Sequence, residues 1–154
     1  MTKAIIKTLL SKVLNTPLVI EQGTSGIWTY RKWSDGTAEC WGSKDISGSY
    51  SSWGNAYTFS LTGESYPSNL FIGKPKAYGQ LSPSVATDGV GGICNDTSDT
   101  VAPKLLHLRP ASFTGTTTFT AKWYAVGRWK NVGGVVSRLL KTLQSLTWRE
   151  VIAW

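Results

Sequence analysis

The sequence is short of the residues that most chemistry needs. It has one histidine, two cysteines and one methionine in 154 residues, and charged side chains make up only 16% of it. The one histidine, His107, alternates with Leu106 and Leu108 as a strand would, so it is expected to line a sheet face rather than to act as a base. No Gly-x-Ser-x-Gly, phosphate-loop or dinucleotide glycine pattern occurs, and no paired carboxylates stand outside turns. The chain is therefore expected not to be an enzyme and to need no cofactor. Cys40 and Cys94 cannot form a zinc site alone and allow at most one disulfide; they are read as buried free thiols. Asp88, Asn95, Asp96 and Asp99 could place oxygens around calcium, but without EF-hand spacing, and no metal is expected.

Long apolar runs are also missing. None approaches the roughly 18 residues of a membrane span. The opening MTKAIIKTLLSKVLN carries Lys7 and Lys12 where a signal peptide needs an unbroken apolar core, so export by that route is not expected.

What is present is one domain's worth of chain, 41% apolar, with 16 Gly, 8 Trp and 6 Tyr. Aromatics and glycine at this level suit many short strands joined by tight turns. The net charge of +7 is unevenly placed: residues 1–16 carry +3, residues 128–154 carry +4, and residues 17–127 sum to zero. Nucleic acid is not an expected partner, because a neutral body does not interleave bases with its aromatics.

The two basic ends read as amphipathic helices. Ile5, Ile6, Leu9, Leu10, Val13 and Leu14 recur at helical spacing before Pro17, and Val135, Val136, Leu139, Leu140, Leu143 and Leu146 form a second stripe behind Gly133 and Gly134. Such stripes are expected to dock on partner helices; a membrane surface is the less favoured reading. The chain thus divides into a helix at 1–16, an antiparallel body at 17–130 and a helical tail at 131–154.

Within the body, GIWTYRKWSDGTAECWG, residues 26–42, predicts a hairpin closed by a two-residue Asp35-Gly36 loop of type I′. That register sets Ser34 opposite Thr37, Lys32 opposite Glu39 as an ion pair and Tyr30 opposite Trp41 as an aromatic pair. Trp33 then faces Ala38, and Arg31 faces Cys40. Further strands are predicted at 56–61, 70–73, 76–81, 104–109 and 117–127, with a long loop from Ser82 to Thr100 that has room for a short strand. The fold class is mainly β: a compact antiparallel β-sandwich flanked by N- and C-terminal amphipathic helices.

Aromatics exceed what one small core needs. Flat rings backed by Ser, Asn and Asp are how proteins hold sugars. The Gly- and Ser-rich segment from Gly48 to Tyr57 is where a loop would present them, which makes Tyr50, Trp53 and Tyr57 the candidate ligand-binding residues. The competing reading places these rings in the sandwich or in a subunit interface.

Residues 21–42, EQGTSGIWTYRKWSDGTAECWG, closely resemble the opening of a C-terminal module of tail-fibre and minor structural proteins of phages and prophages of gut Firmicutes. FTAKWYAVGRWK, residues 119–130, resembles the last strand of that module, which typically stops at its Arg-Trp-Lys. With the span between them the resemblance covers about 110 residues, and the roughly 24 that follow Lys130 fall beyond it. The closing strand also faintly resembles the H-type lectins, small trimeric sandwiches that bind sugars between subunits. The resemblance implies a virion component, made in the bacterial cytoplasm, trimeric, at an exposed tip that contacts the host surface. Ile6, Leu9 and Val13 fit heptad a, d and a positions for a parallel three-helix bundle, and Val136, Leu139, Leu140 and Leu143 fit docking on that bundle or on another virion protein. The expected function is a tail-fibre or tail-tip knob that binds a host surface glycan. Its rival is a purely structural virion protein: a head fibre, a decoration protein or a tail-tip component.

Overall fold

The computed structural model describes residues 16–84, 89–93 and 98–131. They form nine strands: β1 (Val19–Ser25), β2 (Trp28–Trp33), β3 (Thr37–Gly48), β4 (Ser51–Trp53), β5 (Ala56–Leu61), β6 (Lys76–Pro83), β7 (Val90–Ile93), β8 (Leu105–Arg109) and β9 (Thr117–Arg128). Five make one antiparallel sheet in the order β1-β2-β3-β9-β6, and four make a second in the order β4-β5-β8-β7.

Alternation along each strand decides which face turns inward. On β9, Thr117, Phe119, Ala121, Trp123 and Ala125 are buried, while Lys122 and Tyr124 between them are exposed. The small side chains of Ala38 and Cys40 on neighbouring β3 leave depth for Trp28 and Trp123, whose rings lie 6.2 Å apart. The second sheet contributes Phe59, Leu61, Leu105 and His107, and the Phe59 ring stacks on Phe119 at 4.0 Å and 6°. The sheets thus share one core, as a sandwich does. A buried indole N–H needs an acceptor. Trp28 Nε1 donates to the Ser65 carbonyl at 2.6 Å and Trp123 Nε1 to that of Pro103 at 3.0 Å, which ties two irregular connections to the core.

The expected flanking helices are a correction. The described residues contain strands and no helix, so the architecture observed is all-β. Among the described residues the core is made of strand and loop side chains. Ile6, Leu9, Val13, Val136, Leu139, Leu140 and Leu143 lie outside the described residues.

The β2–β3 hairpin forms one residue away from the expected register. Arg31 lies opposite Glu39, Lys32 opposite Ala38, Tyr30 opposite Cys40 and Thr29 opposite Trp41. A type I′ loop needs positive φ at both central residues, and of Asp35 and Gly36 only Gly36 has it, at 85°. The loop therefore has three residues. Gly36 N–H donates to the Trp33 carbonyl at 3.0 Å, and Thr37 N–H donates to Asp35 Oδ1 at 2.8 Å. Arg31 meets Glu39 at 3.8 Å, and Lys32 turns instead to Glu21 on β1 at 3.1 Å.

Strands predicted at 56–61, 76–81, 104–109 and 117–127 correspond to β5, β6, β8 and β9, and β7 interrupts the long loop. Residues 70–73 are not a strand. Leu70 and Phe71 are both buried, whereas consecutive strand residues point opposite ways, so this irregular segment feeds two neighbouring side chains into the core.

Candidate functional site

β4 and β5 meet in a tight hairpin with Trp53 opposite Ala56. Gly54 stands at φ 58° and Asn55 has no positive φ, which is the type II′ pattern. The turn leaves Trp53 at the tip, 62% exposed. Tyr57 is half-buried, opposite Ser52 and Arg109, and the strand period places it on the face opposite to Trp53.

Tyr50 belongs to the core instead. Its ring meets Phe119 at 5.4 Å, His107 at 5.8 Å and Phe113 at 6.0 Å, all edge-on, and the Arg109 guanidinium lies 5.4 Å over it. The Tyr50 hydroxyl and His107 Nδ1 share a hydrogen bond of 2.9 Å. Burial, and then the Arg109 charge, hold the His107 pKa below its usual value, so the imidazole is a neutral hydrogen-bonding group of the interior. The three candidate residues therefore occupy three settings: an exposed tip, a half-buried strand face and the core.

The Cys40 thiol is free and buried, pushed up to about 12 by burial and by the neighbouring Glu39 charge, which leaves it unreactive. Cys94, Asp88, Asn95 and Asp96 lie outside the described residues. No group of His, Cys, Asp or Glu among the described residues is placed to hold a metal ion.

A second aromatic surface lies on the outer face of the five-stranded sheet. Trp41, Tyr124 and Tyr78 are direct partners across β3, β9 and β6. Tyr78 is 60% and Tyr124 38% exposed, with ring centroids 6.3 Å apart. The Tyr124 hydroxyl donates to Glu39 Oε2 at 2.8 Å; partial burial and this bond raise its pKa. The Arg31 guanidinium covers the Trp41 ring at 5.0 Å. Each ring has the strand parity opposite to the buried residues, a signal present in the sequence, but only the three-strand register turns separate aromatics into a row.

No protein-family model and no curated protein matches the chain. Among solved structures it is similar to an N-truncated R1-type pyocin tail fibre, at 12% identity and a TM-score of 0.47, over 82% of this chain and 97% of that one. It is also similar to a C-terminal fragment of the P. aeruginosa R1 pyocin fibre, at 12% identity and a TM-score of 0.45, over 82% of this chain and 32% of that one.

Proposed function

We propose that this chain is the knob of a phage-type tail fibre, a homotrimeric virion protein that binds a glycan of the host surface. One observation carries the reading. The two segments that resemble the phage module, 21–42 and 119–130, form β1, β2, the first half of β3 and most of β9, four neighbouring strands of one sheet. Residues from the two segments face each other directly, Trp41 with Tyr124 and Gly42 with Trp123. Motifs distant in sequence thus act as one structural unit, which supports carrying the module's role to this body as a whole.

Glycan contact is assigned to the β4–β5 tip through Trp53, whose exposed ring is free to stack on the apolar face of a sugar. Glycan arrays and pull-down on bacterial cell walls test the reading, with Trp53→Ala expected to weaken capture about tenfold, the loss of one stacking contact. Absence of any glycan binding overturns it. Light scattering is expected to give three times 16.8 kDa, and a monomer removes the trimer. The rival, a purely structural virion protein, is favoured by the use of Tyr50, Trp28 and Trp123 inside the sandwich. It predicts no sugar-dependent change in Trp fluorescence.

A further inference from the structure

The outer face of the five-stranded sheet differs in charge from the body as a whole, which sums to only +1 over residues 17–128. Strand parity puts Arg31, Lys76, Lys122 and Arg128 on this face against two acids, Glu39 and Asp45. Both acids are already engaged. Glu39 accepts from Tyr124 at 2.8 Å and pairs with Arg31 at 3.8 Å, and Asp45 accepts from Thr120 Oγ1 at 2.7 Å. Lys76, Lys122 and Arg128 form no ion pair among the described residues. The face therefore presents positive charge around its aromatic row.

The row has the form of a floor. Three adjacent strands each contribute one ring, and strand spacing makes it about 10 Å across. Lys122 and Gln80 flank it on one side, and Lys76 with Val126 on the other, where the face runs on into a groove of about 540 Å³ lined by Ile72 and Arg128. The Glu39 bond fixes the Tyr124 ring, so little side-chain entropy remains to be lost on binding.

From this juxtaposition we infer that Tyr124 and Tyr78, bounded by Trp41 under its Arg31 guanidinium, form a binding floor for an anionic glycan, with sugar rings lying on the two tyrosines and acidic substituents meeting Lys122, Lys76 and Arg128. The inference rests on the glycan-binding reading above but assigns a separate site and a ligand charge. The row is one ring wide, with Lys122, Gln80 and Lys76 beside it as well as Val126, and it lacks the broad apolar centre of a subunit interface. A second copy packed symmetrically here would also set like charges against each other. The rings form a row across three strands beside the Gln80 amide and the Ser43 hydroxyl, polar groups suited to reading sugar hydroxyls rather than to interleaving with bases.

The test uses the full chain with immobilised polygalacturonate, dextran and poly(dT). Binding to polygalacturonate is expected to exceed binding to dextran and poly(dT) and to weaken with rising salt. Tyr78→Ala and Lys122→Gln, both at exposed positions, are each expected to weaken it about tenfold, with Trp53→Ala without effect on it. Loss with Trp53→Ala but not with the sheet variants overturns this inference and leaves the tip reading standing. No binding to polygalacturonate, while cell-wall capture persists, overturns this inference alone; loss of both overturns the two together. Tighter binding to poly(dT), or a change in oligomer mass in Tyr78→Ala, overturns it in favour of nucleic acid or of a subunit contact.

Discussion

Trp129 donates its indole N–H to the carbonyl of Trp33 at 3.0 Å, joining residues 96 apart in the chain. Its backbone N–H also donates to the Gly36 carbonyl at 3.0 Å, and the Lys32 and Lys130 ammonium groups lie 5.4 and 4.5 Å from its ring. The residue just beyond β9 therefore clamps the three-residue turn between β2 and β3.

Trp129→Phe keeps a ring in place but removes the donor to Trp33. A lost hydrogen bond of this kind is expected to cost about 1 kcal/mol, read as a lower urea midpoint at unchanged m-value. An unchanged midpoint would show that the clamp contributes nothing to stability.

Gly63 sits against the Ala102 backbone, whose N–H donates to the Glu64 carbonyl at 2.9 Å. A Cβ at position 63 runs into the Ala102 carbonyl, and Gly63→Ala is expected to destabilise by about 1–3 kcal/mol. Gly73 meets nothing within 4 Å and has no positive φ, so Gly73→Ala is expected to be neutral or slightly stabilising. Thermal unfolding of both variants checks the contrast.

His107 holds its proton more weakly in the folded chain than in the unfolded one, because its folded pKa is lowered from 6.5. Its contribution to stability is therefore full above 6.5 and is lost as the pH falls through the folded value. Urea midpoints are expected to fall on acidification from neutral pH, less steeply in His107→Asn than in the wild type; parallel profiles would contradict this. Tyr50→Phe, which removes the 2.9 Å partner, is expected to cost about 1 kcal/mol at neutral pH.

Cys40 has the opposite pH sense. Its folded pKa is about 12 against an ordinary 9.0, so its contribution is full below 9.0 and is lost as pH rises toward 12. The expected alkaline slope is about 1.4 kcal/mol per pH unit. A Cys40→Ala variant is expected to show a flatter alkaline limb, and equal slopes would remove the thiol as its cause.

Patterning in the sequence was sufficient where one face is apolar and the other polar. TTFTAKWYAVG alternates cleanly, and β9 follows it almost end to end. It was insufficient where two local solutions share the same residues. Asp35-Gly36 serves a two-residue loop or the end of a three-residue one, and Glu39 has a cation opposite it in either register, Lys32 or Arg31. Only Asp35's conformation and the pairing of β3 with β9 decide. β1 has no signature in the sequence, because VIEQGTS is exposed along nearly its whole length and carries no buried alternation. Tyr50 was legible as an aromatic beside polar residues but not as a core ring, since its burial depends on Phe113, Phe119 and His107 arriving from distant segments.

β3 pairs with β2 on one side and with β9 on the other, and the second partner begins about 70 residues after β3 ends. On the ribosome, the β1–β3 meander emerges early while the far edge of β3 stays bare until β9 has been translated. An unpaired edge is a template for other chains, and long-range closure is slow relative to local pairing. Chains cut short before Thr117 are thus the species expected to aggregate, and the rate of completing translation sets how long every nascent copy spends in that state.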